Sequence, residues 1–238
     1  MGVTPALKDT VLKKLEKQMK FTVPQTNGLD TMGCIESSYE GAIDFAFLMG
    51  GNLYAATPDS QYSEQALSNV PFKVFLTTTL NQSHFFGIGE ETIILPVAAR
   101  DEEKQPTTQE SMFNFLRMSD GGIVRLNNVR SEIDIIADIA AGTMGNDKID
   151  FLTFKKHANI RDAIGQIIPG FENIKDIDRT KDEFQIGNRT FHKPEFATVD
   201  GNAIFKIIKI PPAKGKNGQF KMTSIRSEGQ FNTIIYEE

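Results

Sequence analysis

Three short stretches concentrate the groups that could hold a phosphorylated ligand: MGGN (49–52), LTTTLNQSH (76–84) and LPVAARDE (95–102). Gly50 and Gly51 would let backbone N–H groups approach a phosphate with no Cβ in the way, and Asn52 brings both a donor and an acceptor. Thr77, Thr78, Asn81 and Ser83 add hydroxyls and amides a few residues further on. Such a rim suits a nucleotide diphosphate bound by neutral donors. Neither a P-loop nor a dinucleotide fingerprint is present: GIGEE (87–91) has only two glycines and no apolar strand before it, so it reads as a turn. KGKNG (214–218) reads as a flexible basic loop.

Other chemistries find little footing. No serine lies in a G-x-S-x-G elbow, and nothing around Cys34 marks it as an activated nucleophile. As the single cysteine, Cys34 excludes an internal disulfide and any iron–sulfur or zinc site of clustered thiolates within the chain. His84, His157 and His192 stand too far apart for metal-ligand spacing and read as structural or surface residues, while Asp101, Glu102 and Glu103 read as a solvated charge run.

The elements that must position the polar stretches are strands. IDFAFLM (43–49), the run at 72–76 and TIILPV (92–97) are nearly continuous apolar segments of the kind found in buried parallel strands. Between the first two, SEQALSN (63–69) has a serine cap and helical character. This cadence is that of a parallel α/β sheet, whose ligands sit outside the carboxyl ends of the strands, where all three polar stretches fall. A charged amphipathic helix is expected over 4–20, with Leu7, Val11, Leu12, Leu15 and Met19 as its apolar stripe, and a shorter one over 35–40. Residues 100–128 read as a polar, irregular segment too long for a connector. Helices follow over 130–142, 151–157 and 161–168. After about residue 184 the texture changes to short alternating runs at 189–201, 202–212 and 218–227 broken by glycine and proline, an all-β composition. The expected domains are 1–182 and 183–238.

With 39% apolar residues the chain can bury an ordinary core. A net charge of −5 argues against a nucleic-acid partner, which wants a basic face. No stretch approaches the ~18 consecutive apolar residues of a membrane helix, and the N-terminus does not read as a signal peptide, so cytoplasm is the expected compartment and no membrane insertion is expected.

Several segments in order, GLDTMGCIES (28–37), AFLMGGNLYAATPD (46–59), TTLNQSHF (78–85), EETIILPVAARDE (90–102), RSEIDI (130–135), IPGFE (168–172) and IRSEGQFNTIIY (225–236), resemble the formate-dehydrogenase-like branch of the molybdopterin-dependent oxidoreductase alpha subunits. The resemblance implies a Rossmann-like sheet with flanking helices that forms the second half of a domain binding molybdopterin guanine dinucleotide, followed by the start of a C-terminal β-barrel. It implies that Gly50, Gly51 and Asn52 help hold one guanine dinucleotide, with Thr77, Thr78, Asn81, Ser83 and His84 lining the same crevice. It further puts Arg226, Gln230, Asn232 and Thr233 against pterin or phosphate groups. Thr78 stands near where many relatives carry a base-reading aspartate. The implied cofactor is molybdopterin guanine dinucleotide with molybdenum, with an iron–sulfur cluster expected, if at all, outside this stretch. The implied partners are the remainder of the same catalytic subunit and an electron-transfer protein. The chain is then expected to be an internal piece, catalytically silent alone. The residues by themselves also admit a stand-alone nucleotide-binding module without redox activity.

Overall fold

The computed structural model describes residues 5–24, 26–111, 114–187, 196, 198–210, 218–220, 230–231 and 234–235. The chain forms two compact units, Met1–His192 and Lys193–Glu238.

The first unit opens with α1 (Pro5–Met19), and α2 (Thr31–Tyr39) follows. α2 begins before the apolar pattern does, because the Asp30 carboxylate accepts from Gly33 N and caps it. Next come β1 (Phe45–Met49), the single turn α3 (Leu53–Ala56), α4 (Ser60–Ser68), β2 (Phe72–Thr77) and β3 (Glu91–Pro96). α4 is capped by Asp59, which accepts from Tyr62 N, and not by Ser63. Ser63 lies one turn inside, buried, with its hydroxyl donating back to Asp59 O. The three strands form one parallel sheet in the order β1-β2-β3, in register Phe45↔Phe72↔Glu91. The expected α/β fold with a parallel sheet is therefore present. Val74, Leu76, Val97 and Ile135 form the core beneath it.

The segment over 100–128 is not irregular throughout. It contains β4 (Thr107–Glu110) and β5 (Phe115–Ser119), an antiparallel pair to which β6 (Phe184–Gln185) adds a third strand. β4 reads TTQE, with no apolar alternation to announce it, so only the pairing with β5 defines it. α5 (Glu132–Met144) is capped by Ser131, which accepts from Ile133 N, and ends at Gly145 rather than Gly142. Instead of two helices over 151–168 there is a 3-10 turn, Phe151–Lys155, and one helix, α6 (His157–Ile167). With α7 (Ile177–Thr180), these elements enclose a second core of Leu116, Ile167, Ile168, Phe171, Ile174, Ile177 and Ile186, against which Val11, Leu15 and Met19 of α1 pack.

In the second unit, β7 (Gln230–Phe231) and β8 (Ile234–Ile235) pair antiparallel. The alternating run over 203–210 forms no strand, and Phe205 and Ile207 are more than nine-tenths exposed. Alternation marks a strand only where a neighbour supplies hydrogen bonds, and a lone extended segment is not stable by itself. Of the runs expected over 189–201, 202–212 and 218–227, residues 189–195, 197, 211–212 and 221–227 lie outside the described residues. No helix among the described residues is long and apolar enough to cross a membrane.

Candidate functional site

Because β1, β2 and β3 run in one direction, the loops that leave them emerge at one edge of the sheet. The first two are tied together. Asn81 Nδ2 donates to Gly51 O at 2.8 Å, and Ser83 Oγ donates to Asn52 Oδ1 at 2.7 Å while accepting from Tyr54 N at 3.0 Å. Gly50 N donates to Leu76 O at 2.7 Å, which carries the ladder one residue past the strand. The structure thus brings Gly50, Gly51, Asn52, Asn81 and Ser83 side by side at the carboxyl edge of the sheet.

The side chains here are spent mainly on one another. Asn52 Oδ1 also accepts from Ala55 N, Asn81 Oδ1 accepts from Ser83 N, and Thr77 Oγ1 donates to Thr79 O. His84 is buried, its Nδ1 accepting from Asn81 N at 2.8 Å and its ring edge-on to Phe75 at 4.9 Å. Thr77, Ser83 and His84, all buried, hold the loops from behind. What faces outward is the backbone at Gly51, the exposed Thr78, and Asn52 Nδ2, which has no partner among the described residues. Gly50 and Gly51 adopt φ of +59° and +75°, and a Cβ on either would meet nothing within 4 Å. Backbone conformation requires glycine there, while the space a side chain would enter stays open. Open space beside a glycine backbone, with neutral side-chain donors at hand, is compatible with the phosphorylated cofactor that the resemblance implies. Of the residues expected in the second unit, Arg226, Asn232 and Thr233 lie outside the described residues, and Gln230 is placed only as a residue of β7.

The third strand ends differently. Val97 bridges in parallel to Arg130, and Ala98 N donates to Arg130 O at 2.9 Å, bringing the start of α5 to the same edge. A cavity of about 270 Å3 opens there, lined among others by Glu102, Gln105, Arg125 and Ser131. Arg125 joins Asp101 at 2.9 Å and Glu102 at 3.3 Å. Its hydrogen bond holds the Asp101 carboxyl below the usual carboxylate range. The charge run is therefore only partly solvated: the Glu102 and Glu103 side chains are 19% and 12% exposed.

Two features were not legible as site elements. Tyr54 stacks on Phe86 with ring centroids 5.0 Å apart, joining the segments that follow Asn52 and Ser83. Arg125, lying in a stretch read as irregular, meets acids more than twenty residues away. Neither has a local signal, since both contacts exist only once the strand ends have converged.

Fold and site together define an α/β protein whose polar loops meet at the carboxyl edge of a parallel sheet. No family model matches the sequence. Over 99% of its length the chain is similar, at 30% identity, to proteins of Mycobacterium tuberculosis and Mycobacterium bovis that bear the name uncharacterized oxidoreductase, covering 31% of each. It is 26% identical to the protein YdeP of Escherichia coli (strain K12), again over 99% of its own length and 32% of the relative's. The chain thus spans about a third of the length of these curated relatives.

Proposed function

We propose that this chain is a part of a molybdopterin guanine dinucleotide-dependent oxidoreductase of the formate-dehydrogenase-like type, and that it contributes one wall of the cofactor crevice. The name oxidoreductase borne by relatives about three times its length supports the general class. The ordered motifs that end in GGN and TTLNQSHF support the cofactor.

When bound, the cofactor supplies two-electron redox chemistry at its metal. The part taken by this chain is binding and orientation. Gly51 would offer its backbone N–H to a phosphate with no Cβ in the way, Asn52 Nδ2 and the Thr78 hydroxyl would add neutral donors, and Asn81, Ser83 and His84 hold the two loops in register. Arg226, Gln230, Asn232 and Thr233 would add contacts to pterin or phosphate from the second unit. The remainder of the catalytic subunit and an electron-transfer protein are its partners in this reading, and the chain alone turns over no substrate.

One observation carries the proposal: adjacent loops from two parallel strands are stitched by side-chain hydrogen bonds, one to the Gly51 carbonyl and one to the Asn52 amide, beside an open glycine pair. Calorimetric titration of the 238-residue chain with GDP tests it. Weak saturable binding is expected, reduced by Gly51→Val, which fills the open space, and by Thr78→Val, which alters only an exposed side chain. Absence of binding, or binding indifferent to both substitutions, would sink the proposal. Equal affinity for ADP and GDP would point to a plain nucleotide module instead.

A further inference from the structure

A second polar cluster lies away from the glycine crevice and has no part in the reading above. The connection that leads into β4 rests on the first turns of α6. Gln105 Oε1 accepts from His157 N at 3.0 Å and Gln105 Nε2 donates to Lys155 O at 2.7 Å. A residue 52 positions earlier thus supplies the cap that Lys156 does not. Pro106 O accepts from Arg161 Nη1 at 2.9 Å and lies 3.2 Å from His157 Nδ1. Arg161, 3% exposed, is ion-paired with Asp178 of α7.

Among the described residues, the buried side-chain polar atoms without a hydrogen-bond partner are Thr107 Oγ1, His157 Nε2, Arg161 Nε and Asp178 Oδ1. They fall on this one junction. Arg161 Nε and Asp178 Oδ1 belong to groups already paired through their other atoms, so a small rotation joins them side-on. His157 has no such remedy. Its ring is 4% exposed, and Nε2 lies 3.9 Å from Glu103 Oε1. With Nδ1 donating to Pro106 O, a neutral ring turns the Nε2 lone pair toward a carboxylate; a protonated ring turns an N–H toward it.

We propose that His157 and Glu103 form a proton-operated latch, which fastens Glu103 to the start of α6 when His157 is protonated and loosens it when the proton leaves. The charges around it define the sense. From its own helix His157 faces Arg161, but Arg161 is engaged by Asp178 of α7. Of the two lysines before α6, Lys155 is paired with Asp138 of α5 and Lys156 is exposed. Glu102 is taken by Arg125. Glu103 is the acid facing the ring, and among the described residues no other cation pairs with it. Acidification therefore closes the latch.

The segment it fastens has little freedom on its other side. A Cβ on Gly121 would stand 1.9 Å from Lys104 O, and one on Gly122 1.8 Å from Asp101 O. Glu102, Glu103, Lys104 and Gln105 also wall the cavity at the end of β3. Opening the latch frees the Glu103 part of that wall, while the Gln105 and Pro106 bonds to α6 and the glycine backing stay in place, so the shape of the cavity at Glu103 follows pH. This holds whether or not the glycine crevice takes a nucleotide.

Amide hydrogen exchange of the 238-residue chain, corrected for the intrinsic pH dependence of exchange, tests the latch. Amides of residues 103–105 should exchange about fivefold more slowly at about pH 5.5 than at about pH 8. His157→Gln and Glu103→Gln should each flatten that response and leave the protection of β2 unchanged. Should His157→Gln lower β2 protection, and so report general unfolding, Glu103→Gln alone decides. A flat wild-type profile, or a pH response that survives Glu103→Gln, overturns the proposal.

Discussion

The first unit contains two cores of opposite character. In the one built by α6, α7 and the antiparallel strands, Phe171, Ile174, Ile177 and Ile186 are each no more than 2% exposed, and α1 lays Val11, Leu15 and Met19 over them. In the parallel sheet only β2 is sealed. Phe45 and Met49 on β1 are half exposed, and Ile93 and Ile94 on β3 are each 37% exposed although they sit on opposite faces. Apolar runs that read as buried strands thus end up as open edges, with β2 alone flanked on both sides. The first region is closed by its own side chains, whereas the second leaves apolar side chains open to solvent.

The contrast is sharpest when a large side chain is removed from each region. Phe171→Ala should cost about 3–5 kcal/mol, since the surrounding isoleucines cannot collapse into the space it leaves. Ile94→Ser should cost about 1 kcal/mol or less, because much of its side chain already meets water. Urea unfolding of the two variants measures both. Comparable losses would mean that the sheet is as well sealed as the second core and would remove the distinction.

Lys73 tests the same comparison from inside the sheet. It sits on β2 with no exposed surface, its ammonium donating to Val70 O at 2.7 Å. Burial pulls its pKa from 10.5 down to about 8. A lysine pKa lowered in the folded state is a stability cost, fully present below about pH 8 and relieved as pH rises toward 10.5, because over that window the unfolded chain holds more protons. Lys73→Met should therefore raise stability at neutral pH by about 1–2 kcal/mol, after loss of the bond to Val70 O, with the advantage shrinking at alkaline pH. Urea midpoints at neutral and alkaline pH check the sign. A destabilised variant would mean that the ammonium is better solvated than its burial indicates.

The same physics decides what could be read from sequence. The three parallel strands were legible from their nearly continuous apolar runs, although only β2 is buried on both faces, and the loops that follow them because glycine, asparagine and threonine come directly after those runs. β4 was not, since its residues are polar and its only claim to be a strand is the register with β5. The start of α6 was hidden for a related reason: its cap comes from Gln105, across more than fifty residues, where local patterns look only for a nearby serine or aspartate. The crevice residues were identified by type, yet their division of labour, with Ser83 and His84 behind and Gly51 and Thr78 in front, depends on contacts no spacing encodes.

That division of labour yields the smallest expected effect and the finest test. If Ser83 and Asn52 work as one stitch between the loops, Ser83→Ala removes the donor to Asn52 Oδ1 and the acceptor for Tyr54 N, at about 1 kcal/mol. Asn52→Ala removes the same bond together with the cap on α3, at a similar cost. The double variant should then lose less than the two combined, by about 0.5–1 kcal/mol, because the shared bond can be broken only once. Strict additivity would show that the loops are held independently, and the crevice would no longer count as one preassembled wall. A positive coupling that vanishes when Asn81→Ala is added would extend the stitch to the Gly51 carbonyl and make the glycine pair part of the same unit.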